Sequence, residues 1–174
     1  ARSHKKERDA PLLVAAALLY TAFVAYGSLV PLEFRSLPLD EATQRFRDIA
    51  WLDLGVGSRA DWVANLLLFI PLAFLWLGVL WHRRSVGLRV LASVFVCAGA
   101  AVLSVGIEFM QLFFPPRTVS QNDLLAEAIG AVLGVLAWWG VGPRVAQWAG
   151  DWLAGRGDGS LARRLLYLYL VGLF

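Results

Sequence analysis

The chain has 174 residues, a net charge of +3 and only 17% charged against 59% apolar side chains, with a mean hydropathy of +0.62. A soluble domain carries about 25% charged residues, so the composition excludes an ordinary water-soluble fold and points to a bilayer. No Lys/Arg cluster interleaved with aromatics marks a nucleic-acid surface, and the single cysteine, Cys97, excludes an intrachain disulfide framework.

The N-terminal ARSHKKERDA leads into PLLVAAALLYTAFVAYGSLV. That apolar run is about 20 residues, longer than the roughly 7–15 of a signal-peptide core, and no small-x-small cleavage site follows. A retained first crossing is therefore expected over residues 11–30, ended by Pro31. Next comes LDEATQRFRDIAWLDL, in which Leu39, Ala42, Phe46 and Ile49 share one helical face, the pattern of a helix lying in the membrane interface.

A second crossing is expected over residues 61–81, kinked at Pro71, a third over 88–114, ended by Pro115 and Pro116, and a fourth over 123–141. Each is long enough for the ~30 Å of hydrocarbon and must be helical, because lipid offers the backbone no partners. Beyond residue 141, PRVAQWAGDW aligns Val145, Trp148, Ala149 and Trp152 on one face as a second interfacial helix, and GRGDGS breaks it. The final LARRLLYLYLVGLF either docks on the surface or starts a fifth crossing. The expected fold is all-α and polytopic, with four transmembrane helices plus interfacial amphipathic helices. Residues 1–141 form the bundle and residues 142–174 a C-terminal appendage.

Basic residues orient it. The N-terminal tail, the 82–89 loop and the stretch after residue 141 hold eleven Lys and Arg, against five in the 31–60 and 114–122 loops. The positive-inside rule then places both ends in the cytoplasm.

In that orientation the intramembrane polar residues gather at the outer face. Ser104, Glu108 and Gln111 form one helical stripe, as do Asp123, Glu127, Gly130 and Gly134, while Asp61 and Asn65 lie one turn apart on the second crossing. Gly130 and Gly134 make a small-xxx-small surface through which helices of separate copies could associate. SRADWVAN (58–65) is echoed by SQNDLLAE (120–127), placing Asn65 opposite Glu127.

Structural readings compete with functional ones here. Ser58-x-x-Asp61 and Ser120-x-x-Asp123 both fit capping boxes, and acids suit the positive helix end. Asn65 could bridge helices. Glu108 and Glu127 demand a reason, since an ionised acid at the bilayer centre costs about 2.5–3.5 kcal/mol. Either one of them pairs with Arg117 as a structural salt bridge, or the group lines a polar pocket open to the outside. The motifs GxSxG, HExxH and the P-loop are missing, as is a Cys/His set for a metal, so no catalytic residue, cofactor or metal ligand is assigned. Glu108 and Glu127 could serve as an acid–base pair, but no nucleophile accompanies them.

At these residues the chain resembles the VanZ-like family of bacterial membrane proteins. The resemblance rests on the run from Tyr26 to Phe34, on Asp61 with Asn65, on FIPLA from Phe69, and on Glu108, Gln111, Arg117, Asp123, Gly130 and Gly134. Ala73 stands where the family has Gly, and Glu127 where it has Asn. The resemblance implies a multi-pass protein of the bacterial cytoplasmic membrane. The family's best-known member is associated with resistance to the glycopeptide antibiotic teicoplanin.

On this reading, Glu108, Gln111, Arg117, Asp123, Glu127, Asp61 and Asn65 form a ligand site. Its partners would be membrane lipids and a lipid-linked cell-wall precursor or a glycopeptide antibiotic. Two alternatives stay open: a structural or assembly domain of a larger membrane protein, and an intramembrane acid–base enzyme acting on a lipid.

Overall fold

The computed structural model describes residues 2–51, 56–81, 85–115 and 117–153. Within them the apolar runs become helices in the expected order: α1 Arg2–Leu29, α2 Leu39–Arg47, α3 Val56–Leu80, α4 Val86–Gln111 and α5 Gln121–Leu153. Four helical stretches are long and apolar enough to cross a membrane, namely Pro11–Leu29, Arg59–Leu80, Val86–Gln111 and Gln121–Gly150. Their outward faces carry large apolar side chains such as Leu19, Phe95 and Val102, with 72%, 69% and 74% of their surface uncovered. Hydrocarbon is the medium that accommodates such faces.

α3 is the central helix and packs against α1, α4 and α5. Its Phe69, Leu72, Ala73 and Leu77 meet Val24 of α1, Val96, Ala100 and Ile107 of α4, and Ala131, Val135 and Trp138 of α5. The α3–α5 contact is close because Gly130 and Gly134 lie against the backbone carbonyls of Leu66 and Ile70, where a Cβ would collide. The small-residue surface formed by these glycines therefore lies against α3 of the same chain. In lipid, where hydrocarbon supplies no hydrophobic drive between helices, such close backbone approach is a main source of attraction.

At the end where α3 leads into α4, aromatic rings fill the space between helices. Trp138 lies 4.8 Å from Phe74 and 6.2 Å from Trp81, and Arg89 places its guanidinium 4.9 Å above the Trp81 ring. The Trp139 indole N–H donates to Ser93 Oγ at 3.0 Å, tying α5 to α4.

At the opposite end the loops wrap over the helix termini. The amphipathic pattern of residues 39–49 is realised in α2, with Ala42 wholly buried and Phe46 edge-on to Phe109 of α4 at 5.5 Å. Leu39, expected on the same face, is exposed. The Arg35 N–H donates to the Phe113 carbonyl at 2.8 Å, and the Phe34 ring stacks on Phe113 at 6.2 Å. Gln121 Nε2 donates to the Ile49 carbonyl at 2.6 Å, fastening the α2 segment to the start of α5.

Three boundaries differ from the sequence reading. α3 begins at Val56, so Ser58 stands inside the helix and not at its N-cap position, and Asp61 stands in its second turn. Pro71 lies inside α3, as expected, and the helix runs through it to Leu80. α4 ends at Gln111, short of Pro115. α5 continues through Pro143 to Leu153, so PRVAQWAGDW is its final part and residue 141 is no helix end. Proline removes one internal bond, but an apolar medium offers the neighbouring backbone no better partner than the helix itself. The GRGDGS break and the candidate fifth crossing fall outside the described residues.

Candidate functional site

The corner where α4 turns into α5 holds the polar residues. Ser104, Glu108 and Gln111 are buried on the inward face of α4, with 3%, 1% and 4% of their surface uncovered. Gln111 Nε2 donates to the Ser28 carbonyl of α1 at 2.9 Å. A carbonyl can only accept, so this bond fixes which end of the amide is which. Gln111 Oε1 is thereby left buried with no protein donor.

Ser120 organises the start of α5. Its hydroxyl accepts the Asp123 N–H at 3.2 Å and donates to the Asp123 carboxylate at 2.6 Å. In a full capping box the acid three residues on would take the Ser120 N–H. Here that N–H donates to Glu108 Oε2 at 3.3 Å instead, so an acid on α4 completes the cap of α5. Deeper in the bundle, Ser104 Oγ of α4 donates to the Glu127 carboxylate of α5. Glu108 Oε1 is buried with no protein donor.

Of the two readings of the buried acids, the structural salt bridge does not form: among the described residues Arg117 makes no ion pair with Glu108 or Glu127, whose partners are Ser120 and Ser104. The Ser120-x-x-Asp123 cap is present, whereas Asp61, in the second turn of α3, is not at a cap position. Ser120→Ala should therefore destabilise the protein by about 1–2 kcal/mol. Asp61→Asn should stay within about 0.5 kcal/mol of wild type. Thermal unfolding of the two purified variants in one detergent checks both.

Asp61, Asn65, Gln111, Arg117, Thr118 and Asp123 enclose a polar cavity of about 70 Å³. Since a water occupies about 30 Å³ of liquid, it has room for one small polar group. α3 supplies Asp61 and Asn65 one turn apart, the last residue of α4 supplies Gln111, the connecting loop Arg117 and Thr118, and the first turn of α5 Asp123. Asp61 is exposed while Asn65 and Arg117 are half-buried, so the wall grades from solvent into the bundle.

Of the seven predicted site residues, five share this wall. Glu108 and Glu127 are not on it and lie behind as buried supports of the α4–α5 corner. The echoed segments meet here too: Asp61 and Asp123 face one cavity, while Asn65 lines it and its counterpart Glu127 turns to Ser104. Sequence reasoning missed Thr118, which stands in a loop without periodicity, and the Ser28 carbonyl, a backbone group with no sequence signal. It named Ser120 only as a cap for Asp123.

Two other spaces lie nearby. An apolar cavity of about 270 Å³ opens between α1, α3 and α4, lined by residues including Leu72, Trp76 and Phe95. A groove of about 590 Å³ follows the polar side of α2, lined by residues of that single helix and its end. Neither gathers polar groups from several helices. Among the described residues no three His, Cys, Asp or Glu side chains could hold a metal ion.

A family model described as VanZ/LLP1 matches residues 12–142, which include the second to fourth expected crossings, all but the first residue of the first, and the whole cavity wall. No curated protein and no solved structure matches the chain.

Proposed function

The chain belongs to the VanZ/LLP1 family, and from that premise we propose that this membrane protein binds the headgroup of a lipid-linked envelope component in the cavity at the α4–α5 corner. The cavity faces outward from the bacterial cytoplasmic membrane, with both chain ends in the cytoplasm and α2 resting in the outer interface. An amphiphilic glycopeptide antibiotic meets the same groups if it approaches by its polar end.

One observation carries the reading: Arg117 borders a polar cavity with no ion-pair partner among the described residues, while the nearby buried acids are held by Ser120 and Ser104. Its planar guanidinium can hold a phosphate or carboxylate through two parallel bonds. The wall is built from three membrane-spanning helices and one loop, so a headgroup there would leave its hydrocarbon tail among the helix faces and lipid.

A purely structural role accounts for Glu108 and Glu127, which tie α4 to α5, but not for Arg117. Nor do the two buried acids support acid–base catalysis, because neither reaches the cavity wall. The test is mass spectrometry of lipids that stay with the purified intact protein. One headgroup class enriched above its share of the source membrane is the expected result. Bulk composition retained unchanged would contradict the proposal.

A further inference from the structure

The cavity wall carries more acidic than basic side chains, and this restricts what can occupy it. Asp61 and Asp123 bring two carboxyl groups to its wall against the single guanidinium of Arg117. Gln111 adds a buried carbonyl oxygen, and its orientation cannot reverse without breaking the bond from Nε2 to the Ser28 carbonyl. Glu108 Oε1, behind the wall, also receives no protein donor. Of these two atoms, the Gln111 amide oxygen can only accept. A buried acceptor left unmade is costly, so the occupant that suits this site donates hydrogen bonds.

Resting on the function proposed above, we infer that the cavity recognises a primary ammonium carried next to an anion, as in a phosphoethanolamine headgroup. The anion lies against Arg117, and the ammonium enters between Asp61, Asp123 and the Gln111 carbonyl. The cavity volume of about 70 Å³ fits an ammonium with its first carbon and leaves the phosphate at the mouth. A quaternary ammonium carries the same charge but no N–H, and it leaves the Gln111 carbonyl unpaired. A glycerol headgroup supplies hydroxyl donors but no positive charge to offset the two carboxyl groups.

The experiment uses the full chain in detergent, titrated with phosphatidylethanolamine, phosphatidylcholine or phosphatidylglycerol of identical acyl chains and read by native mass spectrometry. Phosphatidylethanolamine should bind roughly tenfold more tightly than either, the size of one charge-assisted hydrogen bond. Asp61→Asn should erase much of that preference at unchanged melting temperature.

Equal or tighter binding of phosphatidylglycerol, still weakened by Arg117→Lys, would overturn the ammonium inference and leave the headgroup site standing. No discrimination among the three lipids and no effect of Arg117→Lys would overturn both. Free phosphoethanolamine separates the sources of this chemistry. Phosphatidylethanolamine retained against a large excess identifies a lipid ligand. Displacement at comparable concentration identifies a soluble zwitterion, and the ammonium specificity holds in either case.

Discussion

Replacing Gly134 with valine should leave little folded protein. A Cβ at this position would run into the backbone carbonyl of Ile70 and crowd the Ala73 side chain. A flexible side chain could move aside, but a helix backbone cannot, so α3 and α5 must separate along the contact that holds the bundle. Overpacking of this kind costs about 3 kcal/mol or more. Gly130→Val should behave alike, against the Leu66 carbonyl. Gly140 supplies the control, since a Cβ there meets nothing within 4 Å. Gly140→Val should keep wild-type yield and melting temperature. Monodisperse yield on size exclusion and thermal unfolding decide the matter, and a well-folded Gly134→Val protein would show that the α3–α5 packing is wrong.

Arg117→Lys should have the largest effect on binding. Lysine keeps the charge but loses the planar two-bond fork, and the stabilisation of an anion falls by roughly one charged hydrogen bond, about tenfold in affinity. Stability should hardly change, because no ion pair among the described residues depends on Arg117. Glu108→Gln probes the layer behind. Its amide oxygen can still accept the Ser120 N–H, so the α5 cap survives. Lipid retention and melting temperature should both stay near wild type, because Glu108 lies behind the cavity wall. If both variants instead melt much lower yet retain lipid as the wild type does, the cluster is a structural lock and the binding proposal fails.

Much of this architecture is legible in the sequence because the bilayer imposes it. Runs of about 20 apolar residues can do little else than cross as helices, and the four crossings appear where hydropathy places them. The face of α2 is legible for a similar reason, since Ala42 and Phe46 follow the helical period. Boundaries were less legible. Pro143 and the glycines beside it resemble an end, yet α5 passes through them. Ser58 reads as a cap, but α3 begins at Val56.

At the site, stripe spacing correctly turned Ser104, Glu108 and Gln111 to one buried face. It could not show that Ser104 reaches Glu127 across the interface, nor that Ser120 gives its N–H to Glu108. Those bonds depend on the rotation of α5 about its axis, which the glycine contact with α3 sets. Asp123 and Glu127 share one stripe, so their different partners follow from depth along α5: Asp123 meets Ser120 and the cavity, and Glu127 meets Ser104 one turn further in.

The most direct test of the account reads the cavity in living cells. Thr118 lies on its wall and is exposed. In a Cys97→Ala background, the account predicts that Thr118→Cys reacts with a membrane-impermeant thiol reagent added from outside. It also predicts a reaction several-fold faster when Arg117→Lys is present, because the headgroup that shields the position binds less well. Labelling that requires permeabilised cells, or an external rate unaffected by Arg117→Lys, would contradict an outward-facing cavity that holds a headgroup.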